Sequence, residues 1–136
     1  MRPFVLDCSM TMSWIFPEDA TERTSAIRDS LAEAFAIVPA LWSLEVGNVL
    51  CQAARRGKIA QADWIRVQED LACLPIEVDS GTPGLVRDQV LPLACRWGLS
   101  VYDASYLELA LRFALPLATL SKELTRACHS AGVSVL

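Results

Sequence analysis

Short apolar runs alternate with longer amphipathic stretches along this chain, and the alternation predicts its fold class. Each apolar run is bounded by proline, glycine or small polar residues, as buried strands are. The stretches between the runs place apolar residues three or four positions apart, as helices do. The predicted strands are residues 4–7, the second half of 35–38, 75–78, 117–120 and 133–136, and the predicted helices are 10–16, 19–36, 40–56, 61–74, 85–97, 103–113 and 122–131.

Strands that alternate with helices favour an α/β fold, a parallel sheet with helices on both faces. Gly57, Gly98 and Gly132 follow predicted helices, where glycine commonly ends a helix. Asp19 and Glu22 have the spacing of a capping box and predict one helix start. With 136 residues, and no repeat or linker, we expect a single domain over 1–136.

Composition narrows the class of protein. The chain is 53% hydrophobic and 21% charged, which is typical of a globular protein. No segment approaches the ~20 apolar residues of a membrane span, and Asp7 breaks the first apolar run too early for a signal peptide. The five cysteines form no C-x-x-C pair. We therefore expect reduced, mostly buried thiols in a cytoplasmic protein without a membrane partner.

The formal net charge is −4, so no overall basic field indicates a nucleic-acid partner. Basic residues gather only at Arg55, Arg56 and Lys58, and a nucleic acid would need a metal ion to supply more positive charge. The high apolar fraction and four tryptophans predict a homodimer. The tryptophans are either core or rim residues or part of a partner surface, and further apolar surface for a partner is predicted around Trp42 and Trp64.

Three carboxylates are candidates for chemistry. Asp7 ends the first strand, and ligands bind at the carboxyl ends of strands in open α/β sheets. Glu45 shares a helix face with Asn48 and Gln52, either as a narrow solvent face or as a polar seam inside a site. Asp103 opens a predicted helix, as an N-cap, a ligand or both.

These carboxylates, if they converge, would need a counter-ion, because like charges held close do not all stay ionised. Oxygen ligands of this kind suit Mg²⁺ or Mn²⁺. The only histidine, His129, lies on the last predicted helix and is a poor candidate for acid–base chemistry. The chain contains no P-loop, no G-x-G-x-x-G and no G-x-S-x-G motif.

Four segments of the chain form a recognisable set in order and spacing. They are VLDCS at 5–9, WSLEVGNVL at 42–50, YDASYLELA at 102–110 and ATLSK at 118–122. Together they resemble the PIN-domain family, and most closely its VapC-type toxins, over essentially the whole chain. The resemblance implies a three-layer α/β/α fold with a five-stranded parallel sheet in the order 3-2-1-4-5. It also implies a homodimeric, Mg²⁺- or Mn²⁺-dependent ribonuclease that a small antitoxin inhibits.

The resemblance also assigns site residues. Asp7, Glu45 and Asp103 match the acidic metal site of the family. Ser9 matches a small hydroxyl residue beside the first Asp, and Asn48 matches a polar residue one turn after the Glu. Ser121 departs from the pattern, since the family usually has Asp there, and this leaves open whether one metal or two would bind.

Glu123 stands two residues after Ser121. Two residues along a helix correspond to a rotation of roughly 200°, so we expect the Glu123 side chain to point away from the site.

Three functions remain open. The first is an endoribonuclease in which Asp7, Glu45 and Asp103 bind the metal. The second is a binding protein that keeps the fold and an antitoxin-like partner but has weakened catalysis because of Ser121. The third is a phosphoryl-transfer domain with Asp7 as nucleophile, which is the least supported because position 9 is Ser rather than a second Asp.

Overall fold

The computed structural model describes residues 2–136 and contains one parallel sheet of four strands. The strands are β1 (Phe4–Leu6), β2 (Ala36–Pro39), β3 (Ile76–Asp79) and β4 (Leu117–Ala118). Their spatial order is β3-β2-β1-β4, with every pairing parallel. This confirms the predicted α/β class with a parallel sheet.

The predicted fifth strand is wrong in extent. Residues 133–136 form only a single bridge, between Val135 and Leu117, beside the outer strand β4. β4 itself has only two residues, because the chain leaves the sheet after Ala118 to begin the last helix. Residues 133–136 therefore cannot form a ladder of hydrogen bonds, because their partner β4 is too short. They do lie beside β4, as the expected strand order 3-2-1-4-5 requires.

Helices flank the sheet and connect its strands, as parallel pairing requires. Two short 3₁₀ turns, at Pro17–Asp19 and Ser30–Ala32, adjoin the second helix. The helices are α1 (Cys8–Ile15), α2 (Glu22–Asp29), α3 (Leu41–Arg55), α4 (Gln61–Ala72), α5 (Thr82–Leu85), α6 (Leu91–Trp97), α7 (Val101–Phe113) and α8 (Lys122–Ala131).

Helix starts differ from the sequence prediction where a side-chain cap decides them. α1 begins two residues early, at Cys8, because the carboxylate of Asp7 accepts the backbone N–H of Met10 at 2.9 Å. α2 is capped by Thr21 rather than by Asp19, since the Thr21 hydroxyl accepts the N–H of Thr24. Local capping bonds therefore fix both starts.

Two predicted helices also differ in their course. α2 stops at Asp29 instead of residue 36, because the chain tightens into a 3₁₀ turn before it extends into β2. The predicted helix 85–97 starts earlier, at Thr82, and contains a π-helical turn at Val86–Val90. Pro92 lies in the first turn of α6 and has no N–H to continue the regular ladder, which accounts for the interruption.

The core surrounds β1, whose residues Phe4, Val5 and Leu6 are all fully buried. Trp42 belongs to this core, since it is 8% exposed and its indole N–H donates to the Thr11 hydroxyl at 3.0 Å. The prediction that Trp42 contributes to a partner surface is therefore wrong. Trp64 is half-buried at the side of an apolar groove between α3 and α4.

The five cysteines are free thiols. Cys73 and Cys95 are exposed, so the expectation of mostly buried thiols is wrong for these two. Among the helices between residues 2 and 136, none combines the length and the apolar character needed to cross a bilayer.

Candidate active site

Asp7 lies at the carboxyl end of β1 and is only 4% exposed. Its carboxylate accepts hydrogen bonds from the hydroxyls of Ser9, at 2.7 Å, and Thr119, and from the backbone N–H of Met10. Burial raises the pKa of Asp7, the three hydrogen bonds oppose that rise, and the charge of Asp103 adds to it. The hydrogen bonds therefore fix the orientation of a carboxylate whose charge lacks compensation.

Glu45 projects from α3 and is half-buried. Its Oε1 accepts the hydroxyl of Tyr106, a side chain from α7 that is 1% exposed. Burial raises the pKa of Glu45, the Tyr106 hydrogen bond lowers it, and the charges of Asp103 and Asp7 raise it further. The long α3 helix thus brings a second carboxylate into electrostatic reach of Asp7.

Asp103 is the third residue of α7, not its cap. Ser100 caps the helix, because its hydroxyl accepts the backbone N–H of Asp103 at 3.0 Å. The predicted N-cap role of Asp103 is therefore wrong. Within residues 2–136, its carboxylate accepts no hydrogen bond, and burial and the charge of Glu123 raise its pKa.

Negative charge at this edge of the sheet is uncompensated. Between residues 2 and 136, no Lys, Arg or His forms an ion pair with Asp7, Glu45 or Asp103. The same field acts on the Cys8 thiol, since burial and the charges of Glu45 and Asp7 raise its pKa to about 12. A site of this kind attracts a cation.

The other predicted site residues differ in their contacts. Ser9 lies against Asp7 and also accepts the backbone N–H of Leu120 at 2.8 Å. Ser121 caps α8, and its backbone N–H donates to the Thr119 hydroxyl at 3.0 Å. Asn48 is exposed, and in the described part of the chain no side-chain hydrogen bond joins it to the carboxylates. The polar seam predicted on α3 thus reaches the site through Glu45 alone.

Sequence reasoning missed two residues that position the carboxylates, Thr119 and Tyr106. Tyr106 lies three residues after Asp103 and therefore shares its helix face, which was a readable signal. Thr119 lies two residues before Ser121, at the end of β4. Its contact with Asp7 joins residues far apart in the chain, so no local sequence pattern predicts this contact.

Glu123 departs from the helical-angle expectation. Its Oε2 lies 3.4 Å from the Ser121 hydroxyl, and its charge contributes to the raised pKa of Asp103. The long side chain reaches back over the first turn of α8. The expectation that it points away from the site is therefore wrong.

Comparison with known proteins shows which solved structures have a similar fold. No family sequence model matches the chain, and no curated protein matches it. Among solved structures, PAE2754 from Pyrobaculum aerophilum is 24% identical over 98% of this chain and 83% of that chain, with a TM-score of 0.70. VapBC2 from Rickettsia felis, bound to a DNA fragment from its promoter, is 14% identical over 100% and 98% of the two chains, with a TM-score of 0.66. A toxin–antitoxin complex from Klebsiella pneumoniae is 13% identical over 98% and 95%, with a TM-score of 0.65. The chain has the PIN-domain fold.

The donor set at this edge of the PIN fold fits a hard divalent cation by its chemistry. All three candidates are carboxylates with raised pKa values, and oxygen ligands are those that Mg²⁺ and Mn²⁺ prefer. Between residues 2 and 136, however, no three Asp, Glu, His or Cys side chains are arranged as ligands around one point. Asp7 and Glu45 instead face hydroxyl partners, so ion binding would require these side chains to adjust.

Tyr106→Phe tests whether the hydroxyl keeps Glu45 ionised in the PIN fold. Because the Tyr106 hydrogen bond lowers the pKa of Glu45, its loss should raise that pKa further. Glu45 would then lose its charge at a higher pH. We expect the pH profile of the Glu45 carboxyl signal in an NMR titration to move to higher pH, and stability to fall by about 1 kcal/mol.

Tyr102→Phe is the matched control, since Tyr102 is 65% exposed on the same helix. Unchanged pH profiles for both variants would show that Tyr106 has only a packing role.

Ser121→Asp tests the position at which this PIN fold departs from the family pattern. Asp caps a helix about as well as Ser, so a purely local role predicts the same small change with and without metal. Near Thr119 and Glu123, an added carboxylate should lower the melting temperature in chelator, because it increases like-charge repulsion. In Mn²⁺ the sign should reverse, because binding to the native state stabilises it. Paired melting curves, with chelator and with Mn²⁺, measure the difference; equal shifts in both would place Ser121 outside the site.

Proposed function

We propose that this protein is a Mg²⁺- or Mn²⁺-dependent endoribonuclease, the toxin of a toxin–antitoxin pair. One observation carries the proposal. Asp7, Glu45 and Asp103 come from three separate elements to within electrostatic reach of one another, and no ion pair compensates them in residues 2–136. Uncompensated carboxylates at the carboxyl edge of a parallel sheet are a typical setting for a catalytic cation.

The residues of the chain have distinct parts in this proposal. Asp7, Glu45 and Asp103 would hold the ion, directly or through water. When bound, such an ion lowers the pKa of water and offsets negative charge that develops on a phosphate. Ser9 and Thr119 hold the Asp7 carboxylate in one orientation. Asp103, whose carboxylate accepts no hydrogen bond among the described residues, is available to an incoming ligand.

The substrate we propose is RNA in single-stranded or loop form. Base pairs in an A-form helix shield the base edges, whereas an unpaired strand can be splayed out. Glu45 and Asp103 are only half-buried, so a flexible strand could approach both carboxylates from solvent.

An antitoxin is the partner we propose for the apolar groove between α3 and α4. The groove has a volume of about 530 Å³ and is lined by Gly47, Leu50, Trp64 and Ile65, among others. Ile65 is 51% exposed, so the groove presents apolar surface that a partner would cover. Support also comes from the assemblies with antitoxins in which similar structures were solved.

A homodimer remains part of the proposal. Exposed apolar side chains on α7 support it: Tyr102, Leu111 and Phe113 are 65%, 41% and 46% exposed. Light scattering at micromolar concentration measures the mass directly. A monomer mass would remove this part of the proposal and leave the metal site unaffected.

A binding protein with weakened catalysis is the second candidate. The observation in its favour is Ser121, a neutral residue at a position where the family pattern has Asp. In this version the fold and the apolar groove are kept, and cleavage is slow or absent. The two candidates differ in what the protein does to RNA when no antitoxin is present.

Expression without a partner tests the proposed function. We expect growth to stop and cellular RNA to be fragmented on induction of the wild-type chain. Asp103→Asn should restore both growth and RNA integrity, at equal protein abundance. Arrested growth with intact RNA would contradict the nuclease proposal. Normal growth with soluble, folded protein would favour the binding protein.

A further inference from the structure

A second groove lies beside the acidic site, on the outer face of α8. It has a volume of about 710 Å³ and lies between the side chain of Arg23 on α2 and the basic side chains of α8. We call it the α8 groove. Its floor and walls include Arg23, Thr119, Leu120, Lys122, Arg126 and His129.

The α8 groove adjoins the candidate active site through two residues of its lining. Thr119, on its floor, donates its hydroxyl hydrogen to the Asp7 carboxylate. The backbone N–H of Leu120, the next residue, donates to Ser9, which itself bonds Asp7. Thr119 and Leu120 therefore connect the groove to the residues that hold Asp7, and the basic face of α8 lies next to the candidate site.

The charge of the groove is opposite to that of the site. Lys122, Arg126 and His129 follow one another at intervals of four and three residues, so they form a row on one helix face. No Asp or Glu from the described part of the chain lines the groove. Lys122 and Arg126 are exposed and form no ion pair within residues 2–136, whereas Lys58, Arg87 and Arg112 are all paired.

Arg23 completes the wall but is already held. Its guanidinium donates to the backbone oxygens of Thr119, at 3.1 Å, and Leu136, at 2.8 Å. These bonds tie α2 to the end of β4 and to the last residue of the chain, at one wall of the groove. The cations left free to meet a ligand are therefore those of α8.

The spacing of the row suits a polyanion. Side chains four residues apart on a helix are ~6 Å from each other, and each further turn adds ~5.4 Å. This repeat is of the order of the step between neighbouring phosphates in an extended single strand. The chain has a formal charge of −4, so it has no overall positive field. The unpaired basic row of α8 is therefore a local feature next to the site where phosphodiester chemistry would occur.

We propose that the α8 groove holds the phosphodiester backbone of the RNA strand on one side of the cleavage point, with Lys122 and Arg126 each contacting a phosphate. The proposal rests on the proposed function, since it assigns a binding subsite to the same substrate. The occupant is a single strand, because the groove adjoins the proposed cleavage site, where only an unpaired strand can be splayed out.

Salt-dependent RNA binding in chelator tests the α8 groove without requiring cleavage. A fluorescent, mixed-sequence single-stranded RNA is titrated with protein at several KCl concentrations, and anisotropy gives Kd. Each phosphate contact contributes ~0.7 to the slope of log Kd against log salt for single strands, so Lys122→Gln with Arg126→Gln should lower that slope by about 1.4. The Kd should rise at least about 10-fold at ~0.1 M salt.

Arg55→Gln with Arg56→Gln is the matched control. It removes the same charge from another exposed site, the end of α3, and should leave the slope unchanged. Arg126→Lys keeps the charge and should also keep the slope. Both positions in α8 are exposed and Gln is a good helix former, so folding should survive; melting curves check this.

Three results would overturn the proposal: no change in slope, an equal loss in the control pair, or polyglutamate that binds the groove as tightly as RNA at the same salt. The last would assign the groove to an acidic peptide. Binding with the expected slopes, but no cleavage after Mn²⁺ is added, would support the groove and count against the nuclease. RNA cleavage in Mn²⁺, together with a salt slope that the Lys122→Gln, Arg126→Gln substitutions leave unchanged, would support the nuclease and count against the groove.

Discussion

Asp7→Asn is expected to abolish stabilisation by Mn²⁺ while raising the stability of the metal-free protein. Asn keeps the shape of Asp7 and its acceptor for the Met10 N–H, so the cap of α1 survives. It removes a charge that burial and Asp103 make unfavourable in the folded state. With the most buried of the three proposed ligands gone, the gain of about 2.7 kcal/mol that the wild type should show when free Mn²⁺ is ~100 times its Kd should be lost.

The pH dependence of this variant has a definite sign. The pKa of Asp7 is raised in the folded protein, so the folded state binds a proton more tightly than the unfolded state does. The cost of ionising Asp7 therefore appears as pH rises above the unfolded value of ~3.9 and is complete above the folded pKa. The advantage of Asp7→Asn in chelator should grow from pH 4 toward neutral pH.

Melting curves in chelator and in Mn²⁺ measure both effects. Asp29→Asn is the control, because Asp29 is exposed at the end of α2. It should change neither the Mn²⁺ shift nor its pH dependence. An Asp7→Asn variant that Mn²⁺ stabilises as strongly as the wild type would show that the ion binds elsewhere.

Arg112→Met is expected to lower the free energy of unfolding by about 2 kcal/mol at pH 7, more than any substitution described above. Arg112 bonds Glu108 at 2.8 and 3.1 Å, and Asp79 at 2.8 and 3.1 Å, and so ties α7 to the end of β3. Removing one partner of a buried pair costs about 3–5 kcal/mol, and the partial exposure of Arg112 reduces this cost. Glu108, 5% exposed, would be left without a partner in α7, the helix that carries Asp103.

Urea denaturation measures the loss and separates its causes. Glu108→Leu combined with Arg112→Met should recover much of it, since the buried charge is then gone. Arg87→Met removes an exposed pair with Asp88 and should have no measurable effect. The hydrogen bond from Arg112 lowers the pKa of Asp79, so the part of the loss that comes from Asp79 should shrink below pH ~4. Equal losses at Arg87 and Arg112 would contradict this account.

The elements that could be predicted are those with a local cause. β1 is an apolar run that ends at a carboxylate, and α8 is an amphipathic stretch followed by Gly132; the structure confirms both. The predicted fifth strand failed because strand formation depends on the length of the partner, and β4 has only two residues. The sequence of residues 133–136 carries no information about that length.

The candidate site was predicted as a set of carboxylates but not as a set of contacts. Asp7, Glu45 and Asp103 stand out because each is a charge beside apolar sequence. Their partners do not stand out, since Thr119 meets Asp7 and Tyr106 meets Glu45 only after the chain has folded. Glu123 was misplaced because the angle of a helix fixes where a side chain starts and not where a long one ends.

RNA cleavage by the purified protein, with and without metal, tests the central claim most directly. An end-labelled single-stranded RNA is incubated with wild-type protein, Asp7→Asn and Asp103→Asn, each in Mn²⁺ and in chelator. We expect cleavage by the wild type in Mn²⁺, none in chelator, and rates at least about 100-fold lower for both variants, which should still bind the RNA. Cleavage in chelator, or at the wild-type rate in either variant, would contradict a metal-dependent nuclease centred on these carboxylates.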